Sequence, residues 1–179
     1  PFMQASIFSL FAGLILSATA AGPSDDMFAE LKSAPSSFEA ESAAEDISAA
    51  FNESGSPTAD LLLERAMTAI ATKEFTEARE FLDRAIAVQP EFPEAWYQRA
   101  LIFLNEGLYD QAIYDLNEAL SSEPRHFEAW LTLGLVFEQM GQSREALEAF
   151  REVLKIHPFH EVAGSEVRRL TPLVDGRAI

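Results

Sequence analysis

Three histidines are the side chains of this 179-residue sequence best suited to bind a metal ion or to transfer a proton. They are His126, His157 and His160, and each lies at a predicted turn. The spacing of His157 and His160 would hold a metal only if a carboxylate such as Glu161 supplied a further ligand. Turn histidines more often cap helix ends or face solvent. The pattern therefore favours a structural role, and we predict no metal site and no cofactor.

The sequence offers little other chemistry. It contains no cysteine, which excludes thiolate metal ligands and cysteine nucleophiles. Its serines lie outside the context of a nucleophile elbow. The eight glycines are scattered as single residues, whereas a phosphate-binding loop needs them close together. We predict that the chain has no catalytic activity.

The overall charge narrows the class of partner. The sequence has 13 Lys and Arg residues against 29 Asp and Glu residues, a net charge of −16. Such a chain repels nucleic-acid phosphates and anionic lipid headgroups. We therefore predict that nucleic acid is not a partner, while the oligomeric state stays open.

Two segments of the chain, 93–126 and 127–160, have nearly the same pattern at an offset of 34 residues. Each contains two amphipathic helical patterns and a closing proline, which indicates a helical repeat array. Residues 59–92 are a weaker copy, with Leu62 at the tryptophan position and Lys73 at the turn glycine. The matched pairs are Trp96 and Trp130, Ala100 and Gly134, Phe103 and Phe137, Gly107 and Gly141, Ala112 and Ala146, Leu116 and Phe150, and Pro124 and Pro158.

This order of tryptophan, small residue, aromatic residue, two alanines and proline resembles the tetratricopeptide-repeat family over residues 59–160. The resemblance implies an all-α fold, an α-solenoid of three helix-turn-helix repeats at about 59–92, 93–126 and 127–160. Small residues in both helices of a repeat let the two backbones approach closely. Residues 161–170 are predicted to form a capping helix that Thr171-Pro172 ends, and residues 171–179 a tail.

The N-terminal part of the chain has a different composition. Residues 1–22 contain an apolar run, Ile7 to Leu16, followed by Ala18-Thr19-Ala20, which is typical of a secretory signal peptide cleaved after Ala20. No Lys or Arg precedes Lys32, so the usual positive start is missing. The alternative is an uncleaved membrane anchor, although a spanning helix needs about 20 apolar residues.

An acidic linker over residues 23–57 is predicted next. From Pro23 to Asp60 there are nine acidic residues and one base, a charge run usual in solvated segments. Phe38, Ile47 and Phe51 have spacings that a helix could place on one side, which predicts a helix over 38–52. With residues 58–170 as the repeat domain, this layout resembles small exported repeat proteins of alphaproteobacteria. It favours a periplasmic location, or a membrane-anchored protein whose repeats lie in the periplasm.

In this family the first helices of the repeats line a concave groove, and helical periodicity selects the residues that face it here. Eight of the nine are apolar or aromatic, which argues against the family's carboxylate-clamp mode and predicts a site for an apolar peptide or amphipathic helix. A second possibility is that the chain's own N-terminal segment fills the groove of a membrane-anchored accessory subunit. The predicted groove residues are Leu63, Met67, Ile70, Tyr97, Leu101, Leu104, Leu131, Leu135 and Glu138.

Overall fold

A computed structural model describes residues 22–176 of the chain. All regular secondary structure in this range is helical. The helices are α1 (Asp25–Ser33), α2 (Ser37–Ala50), α3 (Pro57–Ala71), α4 (Phe75–Val88), α5 (Pro93–Asn105), α6 (Tyr109–Ser122), α7 (Phe127–Gln139), α8 (Ser143–Ile156) and α9 (Glu161–Asp175).

Six of these helices form three antiparallel hairpins, α3 with α4, α5 with α6 and α7 with α8. Successive hairpins stack, because α4 also packs on α5 and α6 on α7. The predicted all-α solenoid of three repeats is therefore confirmed. Helix α9 packs on α8 and covers the end of the array, as a capping helix must.

Small residues at the helix crossings permit this stacking. Ala66 and Ala100 in first helices, and Ala78 and Ala112 in second helices, are fully buried. In the third repeat the equivalent residue is Gly134. Even a methyl group does not fit there, because it would lie 2.6 Å from the ring of Phe150. Close approach of the two backbones is thus a property of all three hairpins.

The joints between repeats are closed by repeated hydrogen bonds. Trp96 Nε1 donates to the carbonyl of Pro90 at 2.8 Å, and Trp130 Nε1 makes the same bond to Pro124 at 2.8 Å. Each indole therefore ties the start of a first helix to the end of the preceding hairpin. A buried tryptophan with its N–H satisfied contributes apolar area without leaving a donor unpaired.

Helix α9 is longer than the sequence predicts. Thr171-Pro172 does not end it, and it continues to Asp175. Pro172 lacks one N–H, but it lies in the exposed last turn, where one missing hydrogen bond matters least. Leu170 is 1% exposed and Val174 packs against the same apolar cluster, so burial continues past the proline.

The N-terminal segment folds as a second kind of hairpin, α1 packed on α2. Helix α2 corresponds to the helix predicted over 38–52, whereas α1 has no counterpart in the sequence-based interpretation. The placement of Phe38 on the apolar side was wrong, since its side chain is 82% exposed. Phe38 and Ile47 are nine residues apart, which is two and a half turns at 3.6 residues per turn and puts them on opposite faces.

The predicted signal peptide or anchor lies outside the described residues except for Gly22, and the end of the predicted tail, 177–179, lies outside them too. Among the helices between residues 22 and 176, none is both long enough and apolar enough to cross a membrane.

Candidate functional site: a groove covered at one end by α2

The predicted groove residues lie in three rows, each contributed by the same position of α3, α5 and α7. Leu63, Tyr97 and Leu131 form the first row. The second row is Met67, Leu101 and Leu135, and the third is Ile70, Leu104 and Glu138. Met67 and Leu135 are the most exposed, at 39% and 40%. All of the others except Leu63 are half-buried.

Two of the nine have other roles in the structure. Leu63 is 2% exposed and belongs to the core of the array, although it also borders a cleft of 710 Å³ together with Leu61 and Met67. Glu138 forms an ion pair with Arg169 of α9. Leu63 is therefore mainly a packing residue, and Glu138 serves to attach the capping helix.

Helix α2 lies over two members of the first row, Tyr97 and Leu131. Ser48 Oγ donates a hydrogen bond to Glu128 Oε1 at 2.9 Å. The ring of Phe51 stacks on His126 with centroids 4.2 Å apart and planes 14° from parallel. A cleft of 480 Å³ lies beside these contacts. Residues of α2 line one side of it, and Tyr97 and Leu131 line the other. The second row of the groove does not border this cleft.

Helix α1 attaches the hairpin at the joint between the second and third repeats. The guanidinium of Arg125 lies 4.0 Å from the centre of the Phe28 ring, a cation–π contact. Arg125 Nη1 also donates to Asp25 Oδ1 at 2.7 Å. Phe28 and Leu31 are buried in a cluster that includes residues of α8. The hairpin therefore joins the repeats through both of its helices.

A buried polar network lies beneath α2. His126 is fully buried, and its Nδ1 accepts the backbone N–H of Ala129 at 3.2 Å. The ring hydrogen must then be on Nε2, which donates to Glu94 Oε2 at 3.2 Å. Gln98 Nε2 donates to the other oxygen of Glu94 at 2.7 Å. Each of these polar groups therefore has a partner, as burial requires.

The network affects two ionisable groups in the covered row. Burial raises the pKa of Glu128, and the charge of Glu94 adds to this effect while His126 and the Ser48 hydrogen bond oppose it. Burial likewise raises the pKa of Tyr97, with the charge of Glu128 as a further cause. In both groups burial disfavours the charged form, because α2 and the repeats exclude water from them.

Glu94, His126 and Glu128 also have the residue types of a metal site, with one ligand atom from each lying within 4.8 Å of the others. The hydrogen bonds argue against that chemistry. A ligating imidazole must direct a lone pair at the metal, but the Nδ1 lone pair of His126 is occupied by Ala129 and its Nε2 carries the hydrogen. The arrangement fits a structural network better than a metal centre.

The other two histidines do not pair with Glu161. His160 caps α9, its Nδ1 accepting the N–H of Ala163 at 3.2 Å. His157 is 3% exposed, and among the described residues its Nδ1 has no hydrogen-bond partner. Burial lowers the pKa of both imidazoles. The negative charge of Glu41 on α2 raises both pKa values and so opposes this effect. These histidines therefore belong to the surface that the hairpin covers.

Sequence reasoning missed Glu94 and Glu128 as members of the site. One signal for them was present, because they are 34 residues apart and occupy the same place in the second and third repeats. The contact with Ser48 could not have been found in this way, since it joins segments 80 residues apart.

Comparison with known proteins agrees with this architecture. The model of the tetratricopeptide repeat family matches residues 63–122 and 97–161. A TPR repeat-containing protein of Rhizobium etli is 37% identical over 91 residues, which cover 51% of this chain and 45% of that protein. The match therefore spans less than half the length of this relative.

Several solved structures share the fold at low sequence identity. The first TPR of Spaghetti (RPAP3), solved with an HSP90 peptide, is 19% identical, with a TM-score of 0.61 over 66% of this chain and 94% of that one. The Sgt2 TPR domain of Aspergillus fumigatus is 22% identical, with a TM-score of 0.60 over 67% and 81%. MamA is 21% identical, with a TM-score of 0.61 over 78% and 85%.

The family match covers more than half of the chain, and the indole-to-proline joints, the buried alanines and the stacked hairpins recur along the same residues. This chain belongs to the tetratricopeptide repeat family.

Proposed function

We propose that this protein is a non-catalytic adaptor that works outside the cytoplasm of a bacterium and holds an apolar peptide or an amphipathic helix of a partner protein in its groove. Repeat arrays of this fold present extended concave surfaces to other proteins. The observation that carries the proposal is the second row of the groove. Met67, Leu101 and Leu135 lie one on each first helix, and two of the three are about 40% exposed.

The chemistry of the groove selects an apolar partner. The RPAP3 domain is described with the HSP90 peptide SRMEEVD, which is acidic and would need basic side chains to hold it. The groove rows of this chain contain no Lys or Arg, and the polar groups that border them include Glu94 and Glu128. Like charge would repel such a peptide, whereas leucine and methionine side chains suit an amphipathic helix.

The proposed location rests on residues 1–22, whose apolar run and small-residue tail favour export. The alternative is a membrane-anchored accessory subunit whose groove is filled by its own N-terminal segment. The position of α2 beside the groove supports the idea that the N-terminal segment fills it. The intact mass of the protein from its native host distinguishes the two, since loss of the first 20 residues excludes the anchor.

Charged substitutions in the exposed row test the adaptor function. Leu135→Asp should abolish capture of the partner, because a carboxylate replaces a side chain that would be buried on binding. Leu173→Asp is the matched control, since Leu173 is similarly exposed, at 48%, but lies on α9. Capture is measured by affinity purification and mass spectrometry, with circular dichroism to verify helix content. Partners retained equally by both variants would contradict the proposal.

A further inference from the structure

We propose that α2 is a displaceable internal ligand of the groove, and that the partner helix takes its place by presenting the same kind of face. This inference rests on the proposed function, because it names the chemistry of the partner helix. The partner would be a helix that presents a small residue, a hydroxyl residue four positions later and an aromatic residue three positions after that.

The face of α2 toward the groove defines this pattern. Ala44 and Ser48 border the 480 Å³ cleft, and Phe51 follows at the end of the helix. Spacings of three and four keep such residues on one side of a helix. Phe51 is the anchor, because it stacks on the fully buried His126. The other buried residues of α2 share an apolar cluster with α1.

The fit of α2 to the groove is looser than the fit between helices of the repeats. In the repeats, fully buried alanines bring the helix backbones close together. The backbone of α2 instead packs closely on α1 and not on α5 or α7, and surface clefts of 480 Å³ and 120 Å³ lie beside it and beside Phe51. Its contacts with the groove are therefore few, chiefly those of Phe51 and Ser48.

Release of α2 would also return polar groups to water. Glu128 loses one hydrogen bond from Ser48, but it gains solvation that burial now denies it, as its raised pKa indicates. Glu41 and Glu45, which lie along the same cleft, already form part of a polar border. The free-energy difference between covered and uncovered states is therefore smaller than for an apolar interface of the same size.

The connection between α2 and α3 allows such a movement. It contains Gly55 with φ +81°, a conformation open to glycine. Ser54 is bound to Asp60 through its backbone N–H at 2.8 Å and through its hydroxyl. These bonds fix the start of α3 without any contribution from α2. The hairpin could therefore leave the groove while the first repeat stays folded.

Two phenylalanines of the hairpin segment provide a matched experiment in the full-length protein. Phe51→Ala removes the anchor, whereas Phe38→Ala removes an 82% exposed ring of the same type. Amide hydrogen exchange in residues 37–50 should become about 100-fold faster in the Phe51 variant, the scale expected for loss of a buried aromatic ring. Exchange in α5 and α7 should not change, and the Phe38 variant should behave as wild type.

A peptide of residues 36–52, SSFEAESAAEDISAAFN, carrying a fluorophore, then serves as the probe. Fluorescence anisotropy should show at least about 10-fold tighter binding to the Phe51→Ala protein than to wild type or the Phe38 variant, because the site is vacated. The same peptide with alanine in place of its phenylalanine at position 51 should not bind. If Phe51→Ala does not fold, Ala44→Glu is the second variant, because it places a charge on the same face beside the groove.

Two results would overturn the inference. Faster exchange throughout α5 and α7 would mean that α2 is an integral part of the core. Equal peptide binding by all variants would mean that the covered end is not a ligand site. Neither result affects the proposed function, which fails only if Leu135→Asp retains the partner.

Discussion

The first repeat and the two repeats that follow it have the same helices but differ at the joints. In the second and third repeats an indole bonds to the preceding proline, whereas the first has Leu62 at that position. Leu61 is 49% exposed, while its counterparts Ala95 and Ala129 are fully buried. These two changes lie at positions that would face a preceding repeat.

Positions that face inward within a hairpin do not change in the same way. Ala66 and Ala78 of the first repeat are as completely buried as the matching residues of the second. The hairpin α1–α2 precedes the first repeat in the chain but packs beside the second and third. The small residues inside a hairpin are therefore shared between repeats, whereas the residues at a joint differ. The packing within a hairpin depends on that hairpin alone, and the packing at a joint depends on the repeat beside it.

The largest effect is expected where the third repeat departs from the second. Gly134→Ala should destabilise the protein by about 2 kcal/mol, because the new methyl would overlap the fully buried ring of Phe150. The helix propensity gained by replacing glycine is less than about 1 kcal/mol and does not offset this overlap. Thermal unfolding should shift down by about 4–8 °C.

The second repeat suggests the compensating change. Its equivalent pair is Ala100 with Leu116, so Gly134→Ala combined with Phe150→Leu should be more stable than the sum of the two single effects predicts. A coupling free energy of at least about 1 kcal/mol in a double-mutant cycle is expected. Additive effects would show that the glycine and the phenylalanine do not depend on each other.

A smaller effect is expected at the turns within the hairpins. Lys73 has φ +63°, where its counterparts Gly107 and Gly141 have φ +74°. Left-handed backbone costs a residue with a side chain about 1 kcal/mol. Lys73→Gly should therefore raise the free energy of unfolding, by up to about 1 kcal/mol after the entropy of the unfolded chain is counted. Urea denaturation provides the measurement.

Gly107→Ala is the reverse substitution. A methyl group there would meet no atom within 4 Å, so any loss of stability comes from the backbone alone. We expect a loss of about 1 kcal/mol. If both substitutions have the same sign, then backbone strain is not what distinguishes the first turn from the others.

The repeat period determined most of the fold that could be predicted. The match of Trp96 with Trp130 and of Gly107 with Gly141 places helices, turns and joints together, because each position has one packing role. The end of α9 was predicted less well. The prediction took Pro172 to end the helix, but packing of Val174 against the apolar cluster stabilises the turn that contains the proline. Helix α1 was missed because its apolar face consists chiefly of two side chains, Phe28 and Leu31.

Helical periodicity predicts which residues form the groove rows, but it does not predict that α2 lies over them. Met67 and Leu135 are exposed on the first helices. The burial of Leu63, the ion pair of Glu138 and the stacking of Phe51 on His126 all depend on contacts between distant segments. A single sequence contains no periodic signal for such contacts, so these features had to come from the structure.

The smallest effect concerns an acidic position that all three repeats share. Asp60, Glu94 and Glu128 are equivalent, but only the third has a hydrogen bond from α2. Burial raises the pKa of Glu128 from 4.5, so its contribution to stability is full below about pH 4.5 and is lost as the pH rises through the raised value. Glu128→Gln should therefore unfold at a higher urea concentration than wild type at pH 7, and the advantage should vanish at pH 4.

The stability gained should stay below about 1 kcal/mol, since the glutamine oxygen can still accept the Ser48 hydrogen bond. Glu145→Gln is the control, because Glu145 is exposed on α8. Phe51→Ala in the same background should remove the Glu128→Gln advantage, because release of α2 returns residue 128 to water. An advantage that persists without the Phe51 anchor would mean that the repeats alone, and not α2, bury this position, and the third repeat would then differ from the first for reasons within the array.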